Sequence, residues 1–285
     1  MVGYFFWNPE SVAFIVPYLH FPVYWYSIFF ALGVYGAVLI IRSMIISRAI
    51  EIEGHKSETW AVTDKFVERL TVYAFIGMII GARVGHVLFY DAQFFFDHPA
   101  EIVKVWHGGL SSHGAVVGLL LGLWLFSRKK WSEVYLPQGM DLLDVVSIGS
   151  AFTAGCIRIG NFFNQEIIGI QTSVPWAVVF GNPQDSLGAI PRHPTQVYEA
   201  LVSFSLLGAL VFYGRKGRFA TNGLITGIYL VITFTSRILL ETLKTPQCEF
   251  DTGHIHMGQL LSLPFVLLGL FLIVRIYAGK SKGQT

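Results

Sequence analysis

The chain has 285 residues, of which 53% are hydrophobic and 13% charged, with a net charge of +2 and a mean hydropathy of +0.57. A soluble domain carries roughly 25% charged residues, so the composition excludes an ordinary water-soluble fold, and the near-neutral balance excludes a broad basic surface for nucleic acid. The apolar residues fall into separate blocks of about 20, each long enough to cross a hydrocarbon core about 30 Å thick.

The first residues, Met1 to Trp7, have neither a basic n-region nor a small-residue cleavage site, so the first span is expected to stay in the protein. Hydropathy, punctuated by turns and charges, predicts helices near 22–41, 67–88, 112–127, 143–163, 195–213, 222–242 and 257–277. The expectation is an all-α integral membrane protein with about seven transmembrane helices, forming a single polytopic membrane domain over residues 1–285. Segments 42–66, 128–142 and 214–221 and the C-terminal tail together carry twelve Lys and Arg, whereas the alternate segments carry three, Lys104, Arg192 and Lys244. Basic loops stay cytoplasmic, which puts the N-terminus outside and the C-terminus in the cytoplasm. Gly77, Gly81 and Gly85 recur every four residues on the second span, and Gly118 and Gly122 do so on the third. Such stripes let backbones approach closely, although glycine is also common in membrane helices for reasons of composition alone.

Charges at membrane depth cost about 2.5–3.5 kcal/mol each on insertion scales, so Arg83, Arg158, Arg237 and Glu241 each need a partner or a watery cavity. Arg237 and Glu241, four residues apart, read either as a mutual ion pair or as part of a phosphate site. Arg158, Asn161 and Glu166 recur at near-helical intervals and converge towards the end of the fourth span. A guanidinium grips phosphate through a planar fork, and in a low-dielectric pocket it also stabilises a phosphate leaving group. His113, between Ser112 and Gly114 at the start of the third span, reads as a base or proton relay, or as a structural residue near a helix start. Arg192, His193, Gln196, Tyr198 and Glu199 mark the start of the fifth span, either as its interfacial anchor or as part of the same site. Cys156 and Cys248 match no metal or redox spacing, and no disulfide is expected. His254 and His256, near Cys248, Glu249 and Asp251, form a weak metal signal without a His-Glu-x-x-His motif, so no metal ligand is assigned.

Six groups of residues carry a resemblance. They are Tyr24-Trp25-Tyr26; Gly81-Ala82-Arg83-Val84-Gly85 with Leu88-Phe89-Tyr90; Gly108-Gly109-Leu110-Ser111-Ser112-His113-Gly114; Arg158-Ile159-Gly160-Asn161-Phe162-Phe163-Asn164; Arg192-His193-Pro194 with Gln196 and Tyr198-Glu199; and Arg237 with Glu241. With these, in this order, the chain resembles the bacterial prolipoprotein diacylglyceryl transferases over most of its length. The resemblance implies a multi-pass enzyme of the bacterial cytoplasmic (inner) membrane, surrounded by membrane lipids and with its site towards the outer side. It would move the diacylglyceryl group of phosphatidylglycerol to the lipobox cysteine of a preprolipoprotein signal peptide and release glycerol phosphate, without a cofactor. It also implies phosphatidylglycerol binding at Arg158 and functional roles for Tyr26, His113, Asn161, Glu166, Arg237 and Glu241. The catalytic candidates are therefore His113, Arg158, Arg237, Tyr26 and Glu241, and the substrate-binding candidates Arg158, Asn161, Arg237, Arg83, Glu166 and His193. Three positions depart from the family pattern: Gln165 stands where glycine is usual, Ile170 where Arg is frequent and Thr233 where Tyr is frequent.

Two rival functions fit parts of the same sequence. A lipid or small-anion transporter would use the buried arginines without cleaving anything, and an intramembrane metalloprotease would use His254 and His256. A phosphate leaving group needs no metal when arginines supply the positive charge. Lipid transfer is therefore expected to continue at full rate in EDTA, and loss of transfer on chelation, restored by zinc, would favour the metal reading.

Overall fold

A computed structural model describes residues 3–18, 20–54, 56–89, 92–105, 108–185, 188–215, 221–245 and 257–282. Three short strands, β1 (Phe5–Trp7), β2 (Val12–Val16) and β3 (Phe21–Tyr24), precede two long helices, α1 (Trp25–Glu53) and α2 (Ser57–Phe89). A short helix α3 (Ala92–Asp97) and a 3-10 turn (Pro99–Val103) lead to α4 (Ser112–Ser127). Then come α5 (Met140–Phe163), β4 (Val178–Phe180), β5 (Pro191–Arg192), α6 (Thr195–Gly214), α7 (Leu224–Glu241) and α8 (Met257–Lys282).

Among the described residues six helices are long and apolar enough to cross a membrane, and α4 is a shorter apolar helix. The protein is a mostly helical, multi-pass membrane protein, as the sequence led us to expect. Two features differ from the sequence reading. The segment 42–66, expected as a loop, is helical except for a short break around Gly54, because α1 continues to Glu53 and α2 starts at Ser57. Hydropathy marks only the apolar part of a helix. The extension of α1 is amphipathic, burying Ile45, Ile46 and Ala49 while carrying Arg48. The second difference is the short strands, whose two to five residues are too few to leave a periodic signal.

The chain divides into two compact units, Met1–Met44 with Met140–Thr285, and Ile45–Gly139. In the second unit, α2 and α4 meet through glycine. Gly77 faces Gly118 and Gly122, Gly81 faces Gly114 and Gly118, and Gly85 faces Gly114. A Cβ added at Gly81 would stand 2.6 Å from the Gly118 Cα, and backbone cannot rotate out of the way. The expected close approach is realised, with Gly114 extending the stripe. Beyond it, Phe66 packs edge-on against Phe126 and Trp131, each at 5.0 Å between ring centroids.

In the first unit α5 packs against α6, α7 and the first part of α1. At the start of α5, the fully buried Asp144 caps α7 from a distance. It accepts from the backbone N–H groups of Gly223 and Thr226 at 2.8 Å and of Thr221 at 3.3 Å, and from the Thr221 and Thr226 hydroxyls at 2.8 Å. The N-cap residue of α7 is Gly223, at φ +101°, with no side chain to do this work. A carboxylate there satisfies orphaned N–H donors and meets the positive end of the helix dipole.

At the opposite end of α5 lie the strands. Parallel pairing of β1 with β4 and antiparallel pairing of β4 with β5 give a sheet of order β1-β4-β5, while β2 and β3 form a hairpin that runs directly into α1. Ile168, Val178 and Phe180 form a small core there, with Trp7 and Phe162 packed against it. Trp7 stacks on Phe162 at 4.8 Å and donates its indole N–H to the Phe162 carbonyl at 3.0 Å, so the N-terminal strand clasps the last turn of α5.

Substituting Gly81→Leu is expected to force α2 and α4 apart, lowering the thermal midpoint in detergent by several degrees or more and reducing the yield of monodisperse protein. Gly208→Ala is the control. Nothing lies within 4 Å of a Cβ at Gly208 on α6, so this change is expected to be neutral or stabilising. Equal tolerance of the two would contradict the glycine contact.

Candidate active site

The last turn of α5 ends in a left-handed residue. Gln165 has φ +52°; its N–H bonds the Phe162 carbonyl at 3.2 Å and the following N–H, of Glu166, bonds the Asn161 carbonyl at 3.1 Å. This is the Schellman pattern of helix termination, in which glycine is preferred at the left-handed position because other L-residues pay about 1–2 kcal/mol there. The departure from glycine at this position is thus a strained one. The Gln165 side chain is buried and supplies compensating bonds. Its amide donates to the Asn8 Oδ1 at 3.2 Å and to the Pro9 carbonyl at 3.4 Å, and its oxygen accepts from the Asn182 N–H at 2.8 Å.

The turn folds Glu166 back over the helix end. Asn161 donates to the Glu166 Oε1 at 2.7 Å while its own Oδ1 accepts from Arg158 Nη1 at 3.1 Å, so the expected convergence of Arg158, Asn161 and Glu166 is present. Asn164 makes a longer 3.5 Å contact with the same carboxylate. From the start of α6, Gln196 donates to the Glu166 carbonyl at 2.6 Å and Thr195 to the Ile167 carbonyl at 2.8 Å, which fixes the turn from a second side.

Arg158 also begins a row of alternating charges. Its Nε stands 3.0 Å from the Glu199 Oε2, as an ion pair without the alignment of a hydrogen bond. Glu199 Oε1 accepts from Lys244 Nζ at 2.9 Å, and Lys244 Nζ reaches the Glu241 Oε2 at 3.0 Å. Lys244 is only 4% exposed. Its backbone is set by an isolated antiparallel bridge to Gly169, a residue pressed between His193 and Leu243. Gly258, at the start of α8, lies against the Glu241 carboxylate, where any side chain would collide with it.

The ion pair between Arg237 and Glu241, one of the two readings of their spacing, does not form: Glu241 turns to Lys244 instead. Arg237 lies one turn back along α7, and its buried Nε has no hydrogen-bond partner among the described residues. Tyr26, the second residue of α1, packs against Gly160 and is near enough to Arg158 and Glu166 for their charges to act on its hydroxyl. His193 sits in a separate chain of contacts: its Nδ1 is 3.1 Å from the Tyr198 hydroxyl, which accepts from the Trp176 indole at 2.7 Å. Arg192 is buried against Asp185.

Arg83 and His113 belong to the second unit. Arg83 was expected among the substrate-binding residues, but its donors are spent on the main chain. Nε donates to the Ile102 carbonyl, Nη1 to those of Gly108 and Gly109, and Nη2 to those of Glu101 and Lys104, at 2.5–3.4 Å. All five guanidinium N–H groups are accounted for. Arg83 therefore holds the segment that leads into α4, and its guanidinium has no donor left for a headgroup. His113 occupies the second position of α4, after the N-cap Ser111, which accepts from the Gly114 N–H. Its side chain lies outside what the structure describes, as do Cys248, Glu249, Asp251, His254 and His256. Among the described residues no group of three His, Cys, Asp or Glu side chains is arranged to hold a metal.

A guanidinium and carboxamides gathered at a helix end, at the boundary of an apolar span, suit the headgroup of an anionic lipid. In comparison with known proteins, residues 12–275 match the family model described as prolipoprotein diacylglyceryl transferase. The chain belongs to the prolipoprotein diacylglyceryl transferase family. It is similar to three proteins named phosphatidylglycerol–prolipoprotein diacylglyceryl transferase. That of Tolumonas auensis is 36% identical over 98% of this chain and 99% of its own. Those of Porphyromonas gingivalis and Chloroherpeton thalassium are each 36% identical, over 94% and 95% of this chain and 93% and 94% of their own.

For this member of the prolipoprotein diacylglyceryl transferase family, sequence reasoning missed Lys244, which it counted only as a loop charge. The available signal was its spacing, three residues after the intramembrane Glu241. A buried lysine between two carboxylates is strongly destabilising to remove, at about 3–5 kcal/mol, because a charge is left unpaired. Lys244→Met is expected to lower the thermal midpoint in detergent, and adding Glu241→Gln to recover part of the loss. A single substitution that leaves the midpoint unchanged would show that the pair contributes nothing.

Proposed function

We propose that the protein transfers the diacylglyceryl group of phosphatidylglycerol to the lipobox cysteine of preprolipoproteins, with Arg158 and Arg237 as the two cations that hold the lipid phosphate. The reaction follows from family membership. The assignment of the phosphate rests on one observation above all: Arg237 carries a buried guanidinium nitrogen with no partner among the described residues, while Glu241, one turn along the same helix, is taken by Lys244. An anion is the group such an arginine lacks.

In this reading the acceptor thiol loses its proton to His113, directly or through a water molecule, because the thiolate is the nucleophile and a cysteine of pKa about 8.5 is only partly ionised near neutrality. The sulfur then attacks the glycerol carbon bonded to the phosphate oxygen. A carbon–sulfur thioether forms, the carbon–oxygen bond breaks, and its electron pair leaves on the phosphate as glycerol phosphate. Arg158 and Arg237 stabilise the negative charge that grows on the departing oxygen. Asn161, Glu166 and Tyr26 orient Arg158, and Glu241 acts through Lys244 and Glu199. Arg83 serves as a positioning residue for the stretch before His113, and His193 borders the site through Tyr198.

We place the enzyme in the bacterial cytoplasmic membrane, with its N-terminus and site outside and its C-terminus inside. The twelve-to-three division of basic residues between alternate segments supports this orientation.

The test is transfer of labelled diacylglycerol from phosphatidylglycerol to a synthetic lipobox peptide, with the cysteine intact or replaced by serine. Label is expected on the cysteine peptide alone, in a linkage that survives denaturation. Arg158→Ala and Arg237→Ala should each slow transfer by about a hundredfold or more. Full turnover of His113→Gln across pH would remove that residue as base. Folded wild-type protein that carries lipid across a bilayer unchanged and labels no peptide would instead be a transporter.

A further inference from the structure

Beside the turn that carries Glu166 lies a groove of about 490 Å³, lined by Asn8, Glu10, Phe163, Asn164, Gln165 and Asn182 among others. Its volume is within the range of about 300–1,000 Å³ typical of binding sites. Four of these side chains are carboxamides; Gln165 is buried and spent on Asn8, Pro9 and Asn182, which leaves Asn8, Asn164 and Asn182 as groups that can donate and accept. No Lys, Arg or His is among its described lining residues, and its one charge is the exposed carboxylate of Glu10.

This chemistry is the reverse of that around Arg158. An anionic headgroup needs cations and donors, and Glu10 would repel it. An extended polypeptide offers N–H and C=O groups in alternation, which carboxamides match in both senses. Asn8 and Asn182 are exposed, and Asn164 has a buried Oδ1 with no partner. Turning the Asn164 carboxamide towards a ligand sacrifices only its long 3.5 Å contact with Glu166. That contact also places the groove next to the anion centre, since Glu166 is joined through Asn161 to Arg158.

We propose that this groove holds the main chain of the protein substrate just beyond its acceptor cysteine, with Glu10 reading the charge of the residues there. The inference rests on the transferase reading. The signal segment before the cysteine is apolar and stays in lipid, whereas the chain after it is polar, as this groove is. Glu10 favours a basic residue in that stretch and disfavours an acidic one.

The experiment uses the full-length purified enzyme with phosphatidylglycerol and two lipobox peptides identical except for Lys or Asp at the two positions after the cysteine. Wild type is expected to prefer the Lys peptide by about two- to fivefold in kcat/KM, the scale of an exposed charge pair. Glu10→Gln should abolish the preference and Glu10→Lys invert it, with the change appearing in the peptide KM. A preference that is absent in wild type, or unmoved by both substitutions, overturns the proposal. So does a change confined to the KM for phosphatidylglycerol, which would assign the groove to the lipid. If wild type modifies neither peptide nor any other cysteine peptide, it is the transferase reading that fails.

Discussion

Charge compensation at one end of the first unit governs how its helices come together. Arg158 on α5, Glu199 on α6, Glu241 on α7 and Lys244 just beyond α7 form a row in which each charge has an opposite neighbour. At membrane depth a lone charge would cost several kcal/mol, so the helices that carry these groups are held to an arrangement in which the row closes. The row neutralises itself, and Arg237 stands outside it.

Around this row, the backbone does unusual things for identifiable reasons. The left-handed Gln165 and Ile167 reverse the chain at the end of α5 and bring Glu166 back to Asn161. A non-glycine residue keeps that conformation only when its surroundings over-determine it. Here the surroundings are three hydrogen bonds to residues 8, 9 and 182 and the strand β1, whose Trp7 grips Phe162. The N-terminal strand and the β4 region are thus part of the support for the charged turn.

Much of this was legible in the sequence. The spans and the glycine stripe follow from patterns within one element, which a sequence displays directly, and so does the pairing of Arg158 with Asn161, whereas Glu166 joins them only through the reversal at Gln165. What stayed hidden depends on contacts between distant segments. Lys244 looks like one more loop lysine until a bridge to Gly169 carries it inward between Glu199 and Glu241. The i, i+4 spacing of Arg237 and Glu241 suggested a pair that a closer competitor prevents. Arg83 has the position of a functional arginine, and only the fold of residues 101–104 and 108–109 reveals that its donors are consumed by carbonyls. The strands escaped notice because runs of two to five residues are too short to show a period, and the helical extension of α1 because amphipathic turns dilute hydropathy.

The capping of α7 by Asp144 gains meaning when set beside the other end of the same helix. One terminus is bolted by five hydrogen bonds to a side chain of α5, and the chain just past the other is tied to α6 through Lys244, which donates to Glu199. Sliding α7 by a single residue, about 1.5 Å, would break both fastenings at once. The helix therefore behaves as a strut of set length, and Arg237, near its far end, is held at a constant height along the bundle axis.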